Sequence, residues 1–418
     1  KDNTPSPLEG LKDFQQRTVE YVFKQFYGEN RQSRFLVADE VGLGKTMVAR
    51  GIIAKTIEYL RQKTDRIDII YICSNATIAT QNMKRLNGGH HHGVALATRL
   101  TFLPQIVRSL RFNKLNFISL TPGTAFDHTL SRGGQMRERT ILYHMLYALP
   151  LAQGERREQL RYGLYSLLQA TAGKEGWERD VELLDPNLLD ADLSRSFRRE
   201  VMNDRDLYAQ LKSCCARFYA GNISEEDSRY RYDLIGKLRN KLASVCLSAL
   251  DPDLVILDEF QRFKSLLNGD DDAALLAKAL FEHPEVRVLL LSATPYKMYT
   301  TEQESEEENH YKDFIATLHF LFNDAQKVAE IEQQLLGIRT SLQGSGMRVS
   351  EKAQLENALL QVMCRTERIA TTRNLNAMTL EDVRTTPLTV ADLQHAATLD
   401  AIAQSVNAAD PIEYWKSA

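Results

Sequence analysis

Twelve consecutive residues carry the strongest chemical signal in the chain: Phe35, Leu36, Val37, Ala38, Asp39, Glu40, Val41, Gly42, Leu43, Gly44, Lys45 and Thr46. An apolar run enters a loop with two glycines, and a helical pattern opens at Lys45. Glycine lets backbone N–H groups approach an anion closely, and a helix start adds further donors and a favourable dipole. In such a loop Lys45 reaches the β and γ phosphates of a nucleotide and the Thr46 hydroxyl ligates Mg²⁺. The pattern therefore predicts ATP and Mg²⁺ as cofactors, cradled by Asp39, Val41, Gly42, Leu43 and Gly44. Asp39 stands where the general pattern G-x-x-x-x-G-K-[ST] has its first glycine.

A nucleotide site also needs acid to hold the metal and position water. Asp253, Leu254, Val255, Ile256 and Leu257 lead into Asp258, Glu259, Phe260 and Gln261, an apolar run that ends in two carboxylates. Asp258 is expected to hold Mg²⁺ through its water shell and Glu259 to orient and deprotonate the attacking water. An acidic pair after a strand is a weak signal alone. Beside the glycine loop it becomes specific.

The elements that must position these groups are legible in the periodicity. Apolar runs bounded by turn signals recur at residues 34–38, 67–73, 116–120, 254–257 and 286–291. Such runs predict strands buried on both faces and hence a parallel sheet, an α/β fold. Residues 46–61 carry Val48, Ile52, Ile53, Ile57 and Leu60 on one helical face. From about Phe126 to Leu250 the alternation stops and apolar residues recur at helical spacing, which predicts an all-helical insertion. After Pro295 the pattern is helical again. The expected division is residues 1–125 and 251–300 as two parts of one lobe, 126–250 as the insertion and 301–418 as a helical extension.

With 418 residues, 43% hydrophobic and 26% charged, the chain suits two or three globular domains and not a fibrous or disordered class. No run approaches about eighteen apolar residues, and residues 1–10 lack a signal-peptide core, so no membrane and a cytoplasmic location are expected. Net charge is −3, but residues 1–130 hold 18 Lys+Arg against 11 Asp+Glu while residues 251–418 hold 15 against 27. The basic front permits a nucleic-acid surface. Cys73, Cys214, Cys215, Cys246 and Cys364 form no Cys-x-x-Cys pair and read as reduced, mostly buried thiols. His90, His91 and His92 on a glycine-rich stretch read as a loop, since consecutive histidines do not converge on one ion.

Three further segments fall in a recognisable order: Leu11, Lys12, Asp13, Phe14 and Gln15 before the glycine loop, Ser119 to Gly123 after a strand, and Leu291, Ser292, Ala293, Thr294 and Pro295 after the last strand. The set resembles the first motor lobe of superfamily 2 helicases and translocases. The stretch from Ala38 to Thr46 is most similar to the Swi/Snf-type branch, where aspartate at the first glycine position is normal. The resemblance implies a RecA-like lobe with a parallel sheet flanked by helices. It implies that Gln15 reads adenine with Phe14 beside it, and that Ser292 and Thr294 couple hydrolysis to lobe movement. It also implies that Ser74 and Asn75, with Thr121, Pro122 and Gly123, grip a nucleic-acid backbone. Gln261 stands where the branch usually has histidine and takes over its interlobe work.

The activity so implied is that of an ATP-dependent nucleic-acid translocase or helicase, with duplex DNA as the substrate that the resemblance implies. The resemblance extends loosely to residues 362–368, and no Gln-x-x-Gly-Arg-x-x-Arg segment follows. A second RecA-like lobe bearing an arginine finger is therefore an expected partner. At family level, bacterial relatives serve restriction or phage defence, so a nuclease or other defence-system subunit is a further expected partner. The rival reading is a nucleotide-gated scaffold or assembly switch that binds ATP without translocating. Arginine outnumbers lysine 15 to 4 in residues 126–250, and Arg195, Arg198, Arg199, Arg229 and Arg231 are the expected partner-facing or DNA-facing clusters there.

Overall fold

The computed structural model describes residues 8, 10–40, 42–86, 94–95, 99–122, 133–221, 223–269, 271–292, 310–343, 349–366 and 389–405. Contacts divide the chain into two units, residues 1–295 with 314–366, and residues 296–313 with 367–418.

In the first unit, seven strands form one sheet: β1 (Arg34–Val37), β2 (Ile67–Ile72), β3 (Val94–Ala95), β4 (Leu115–Leu120), β5 (Pro252–Asp258), β6 (Arg287–Leu291) and β7 (Met363–Cys364). Their order is β3-β4-β2-β5-β6-β1-β7, and every described pairing is parallel. The five apolar runs of the sequence supply the five longer strands. Alternate residues of each strand point to opposite faces. Phe35, Val37, Ile69, Tyr71, Leu254, Ile256 and Leu289 meet α1 (Asp13–Tyr27) and α2 (Lys45–Leu60) in one core. Leu36, Ile70, Ile72, Ile118, Val255, Leu257 and Leu290 face the other core. α3 (Ala76–Leu86) follows β2, and α4 (Leu103–Phe112) precedes β4.

That second core includes the insertion. The insertion comprises α5 (Met136–Leu146), α6 (Glu155–Gln169), α7 (Lys174–Leu183), α8 (Ala191–Asn203), α9 (Arg205–Ala220) and α10 (Glu225–Ser248). Its Leu142, Leu164, Phe197, Leu211 and Leu242 belong to the same continuous cluster as Leu36 and Ile70 of the sheet. The described residues of the insertion are largely helical and form the layer that covers one sheet face. α6 and α9 touch closely, because a Cβ at Gly163 would stand 1.9 Å from the Cys215 carbonyl oxygen. Only glycine fits there.

The last part of the first unit differs from a plain helical extension. After α11 (Ser265–Asn268) and α12 (Asp272–Phe281), the helices α13 (His310–Phe322), α14 (Ala325–Gln343) and α15 (Val349–Leu360) follow. Phe314, Leu318, Val328 and Ile331 build a small core of their own, and β7 then adds an edge strand beside β1. Two residues are too few to give a period, so this strand was invisible in the sequence. In the second unit, α16 (Val390–Ser405) opens with reciprocal bonds between Thr389 and Asp392. All five cysteines are free thiols, four of them buried. No described helix is long and apolar enough to cross a membrane.

Candidate functional site

Because the strands are parallel, the loops that follow them share one edge of the sheet. β1 and β2 lead away in the chain yet lie two strands apart, with β6 and β5 between them. A crevice at such a switch in strand order is where open α/β sheets bind ligands. A cavity of about 360 Å³ lies there, lined by Gly42, Gly44, Lys45 and Thr46, by Cys73, Ser74, Ile78 and Asn82, and by Asp258 and Glu259. A groove of about 860 Å³ along α1 is larger, but it is open and gathers none of the phosphate-loop or acidic-strand residues.

The glycine loop turns on two glycines in the left-handed region. Gly42 and Gly44 take φ of 83° and 81°, and a Cβ at Gly44 would meet the Gln15 amide nitrogen at 2.6 Å. Lys45 opens α2 and folds back, donating to the carbonyl oxygens of Asp39 at 3.0 Å and Glu40 at 3.3 Å. Burial pulls the Lys45 ammonium below its ordinary range, opposed by the Asp39, Asp258 and Glu259 carboxylates. Thr46 follows it into the cavity wall.

Gln15 is buried on the first turn of α1. It donates to the Leu43 carbonyl at 2.8 Å and accepts from the Lys12 backbone N–H at 3.0 Å. Here the side chain holds the loop, a role the resemblance does not imply. Phe14, beside it, is half-buried.

Asp39 is fully buried. Its Oδ1 accepts from the Thr366 N–H at 2.8 Å, while Oδ2 has no hydrogen-bond partner. Two backbone bonds, Ala38 N–H to Cys364 and Glu40 N–H to Thr366, run alongside. The aspartate thus fastens the glycine loop to the segment leaving β7. Burial pushes its carboxyl up, against the Thr366 bonds and the Lys45 charge.

At the end of β5, Asp258 accepts a bond from the Tyr71 hydroxyl at 2.5 Å, and Asn82 donates to that hydroxyl at 2.8 Å. Burial pushes the Asp258 carboxyl up; the Tyr71 bond opposes this and the Glu259 charge adds to it. Glu259 has φ of 54°, in the left-handed region that is uncommon for residues carrying a Cβ. Its carboxylate, half exposed, pairs with Arg262 at 2.9 Å. Gln261 carries a buried amide oxygen without a partner.

The other expected residues fall on the same sheet edge with different surroundings. Ser292 is buried just past β6, its N–H on the Val37 carbonyl at 3.1 Å. Ser74 is exposed at the cavity. The Asn75 side chain accepts from the N–H groups of Thr77 and Ile78, capping α3. Thr121 is buried after β4 and Pro122 follows it. Val41, Gly123, Thr294 and the three histidines lie outside the described residues.

Two of the insertion arginines expected to face a partner turn inward. Arg198 donates to the Met145 carbonyl, and Arg231 is buried with its guanidinium 4.2 Å from the Phe218 ring centre. Arg195 pairs with its neighbour Asp192. Arg199 and Arg229 are exposed.

Sequence reading missed Tyr71, Asn82, Arg262 and Thr366. One signal was available: a tyrosine inside the apolar run of β2 needs a partner for its hydroxyl. The donors on the cavity wall fit a nucleotide with its metal. Positive-φ glycines leave room for an anion, an ammonium stands on loop carbonyls, and a hydroxyl and a carboxylate are the hard oxygen ligands Mg²⁺ takes. Among the described residues no cluster of three or more His, Cys, Asp or Glu side chains offers a different metal site. Compared with protein-family models and with curated protein sequences, the chain matches none, so the reading of this cavity stands on its own residues.

Proposed function

We propose that the chain is the first, RecA-like motor lobe of an ATP-driven nucleic-acid translocase or helicase. The observation that carries this reading is the shared cavity: Lys45 and Thr46 meet Asp258 and Glu259 there, although Lys45 and Asp258 are 213 residues apart in the chain. When bound, Mg-ATP supplies the phosphoanhydride whose cleavage drives movement. Lys45 exchanges the carbonyl oxygens of Asp39 and Glu40 for phosphate oxygens, and the loop N–H groups complete the cradle. Thr46 and Asp258 hold the metal. Glu259 leaves Arg262 and takes the proton of the attacking water. Ser292, tied to β1 through Val37, senses the loop from the neighbouring strand.

DNA is the track in this reading. A second RecA-like lobe supplies the arginine that neutralises the transferring phosphate, and a nuclease or other defence subunit is the partner in a bacterial defence role. The scaffold reading draws support from one contact. A base engaged by Arg262 does not take a proton until that pair opens, as a nucleotide-gated switch would require. DNA-stimulated hydrolysis that displaces a roadblock separates the motor from the scaffold.

The nucleotide reading is tested with calorimetry of Mg-ATP on wild type and Lys45→Ala. The variant should bind roughly 10- to 100-fold more weakly, the loss of a charge-assisted contact. Equal affinity in the two proteins would show that the glycine loop does not hold phosphate.

A further inference from the structure

Asp258 is held from behind by two residues that the nucleotide reading does not use. Tyr71 lies on β2, the strand paired directly with β5, and is 1% exposed. Its hydroxyl donates to Asp258 Oδ2 at 2.5 Å. Asn82 lies on α3 and is 8% exposed. Its amide donates to the Tyr71 hydroxyl at 2.8 Å and stands 3.5 Å from the same Asp258 oxygen. Ile78 and Asn82, one helical turn apart, both reach the wall of the cavity. Three elements of the fold thus converge on one carboxylate oxygen.

That convergence matters because a free aspartate turns about two side-chain bonds, and a metal ligand works only when its oxygens are already aimed. A phenol hydroxyl can donate one bond and accept another. Tyr71 donates to the carboxylate and accepts from Asn82. The donor direction is fixed by Asn82, and the carboxylate plane by Tyr71. Nothing in packing alone calls for this arrangement. Phenylalanine on β2 and leucine on α3 would satisfy the same core without burying a hydroxyl and an amide.

We propose that Tyr71 and Asn82 are positioning residues that hold the Asp258 carboxylate in the orientation Mg²⁺ requires. The proposal rests on the nucleotide reading and names a part of the site that reading leaves out. In that reading Asp258 is the carboxylate that would face the metal from the cavity wall. Tyr71 and Asn82 act through it. Removing either donor weakens the metal without touching the phosphate loop, because Lys45 and the loop glycines make none of these bonds.

The test measures binding and does not depend on turnover. A fluorescent ATP analogue is titrated onto wild type, Tyr71→Phe, Asn82→Leu and Lys45→Ala, first without divalent metal and then at increasing Mg²⁺. In Tyr71→Phe the Mg²⁺ concentration at half-saturation should rise about 10- to 100-fold, the usual cost of losing a group that orients a metal ligand. Metal-free affinity should stay within about twofold of wild type. Asn82→Leu should shift in the same direction and by less, since Tyr71 keeps its bond to Asp258. Thermal melts run in parallel. A lower melting temperature with an unmoved Mg²⁺ dependence would make the pair a structural contact and overturn the proposal. If wild type and Lys45→Ala both fail to bind the analogue at any Mg²⁺ concentration, the nucleotide reading itself falls and takes this proposal with it. If wild type binds, Lys45→Ala does not, and both Tyr71→Phe and Asn82→Leu follow the wild-type Mg²⁺ curve, only the positioning role is lost.

Discussion

Two regions of the first unit bury carboxylates, and they treat them in opposite ways. In the insertion, Glu138 is fully buried, with Arg239, itself fully buried, at 2.9 Å and Arg99 at 3.2 Å. Thr101 and the Gln135 N–H complete its shell. Burial alone would raise its carboxyl; Arg239, the Gln135 N–H, Thr101 and Arg99 outweigh that and hold it below the ordinary range. At the sheet edge, Asp39 keeps one buried oxygen without a partner, Gln261 keeps another, and Glu259 sits at positive φ. A satisfied network stabilises one packing, whereas Glu259, held at positive φ on the cavity wall, is a strained group of the kind that clusters at functional sites. The same chemistry, a buried acid, is fully partnered in one place and half-partnered in the other.

Breaking the satisfied network should have the largest effect on stability. Arg239→Ala leaves Glu138 buried with only Arg99 as a charge partner, and loss of one member of a buried pair costs about 3–5 kcal/mol. Urea denaturation followed by circular dichroism should show the loss, with Mg-ATP affinity of the folded fraction unchanged. A variant as stable as wild type would mean that Arg99 alone balances Glu138. The pair would then not be what fixes α5 against α10.

The sheet edge should respond with the opposite sign. A residue other than glycine at positive φ is held at a cost of about 1–2 kcal/mol, partly offset in glycine by its greater unfolded freedom. Glu259→Gly should therefore keep or raise stability, by up to about 1 kcal/mol, while turnover falls at least about 100-fold for want of the base. Denaturation and a phosphate-release assay on the same preparation check both halves. A loss of stability above about 1 kcal/mol would show that Glu259 holds the loop after β5 in place, through Arg262, more than it strains it.

The comparison also explains what the sequence could disclose. Residues 35–46 declare themselves because loop, lysine and helix start are contiguous, and the longer strands because apolar residues dominate each of them. The contacts that complete the site join distant positions: Tyr71 to Asp258 across 187 residues, and Asp39 to Thr366 across 327. No local period encodes such pairs. The inward turn of Arg198 and Arg231 was hidden for a related reason. Arginine has a long apolar stem, and its residue type alone does not say whether the guanidinium reaches solvent, a carbonyl or a ring.

A third group of acids lies between these extremes and gives the smallest expected effect. Near the amino end of β5, Asp253 accepts from the Asp68 N–H at 2.8 Å, and the buried Asp68 carboxylate has Arg66 at 2.7 Å. Burial pushes the Asp253 carboxyl from an ordinary 3.8 up to about 6; the Asp68 N–H bond and Arg66 oppose this, and the Asp68 and Asp251 charges add to it. Between about pH 4 and 6 the folded chain keeps a proton that the unfolded chain has released, so the folded state binds more protons and stability falls as pH rises. Below that window both forms are protonated and the contribution is complete; above it both are ionised and the loss is constant. Asp253→Asn can still accept the Asp68 N–H and has no proton to lose. Its stability relative to wild type should rise from pH 4 to 6 and then level off, as read from urea midpoints at half-unit steps. The buried Asp68, also pushed up by burial first, with Asn116 and Arg66 opposing, leaves some slope in the variant. Parallel curves for wild type and variant across the window would mean that Asp253 ionises at its ordinary pH in the folded chain, as a solvated acid at a strand start would.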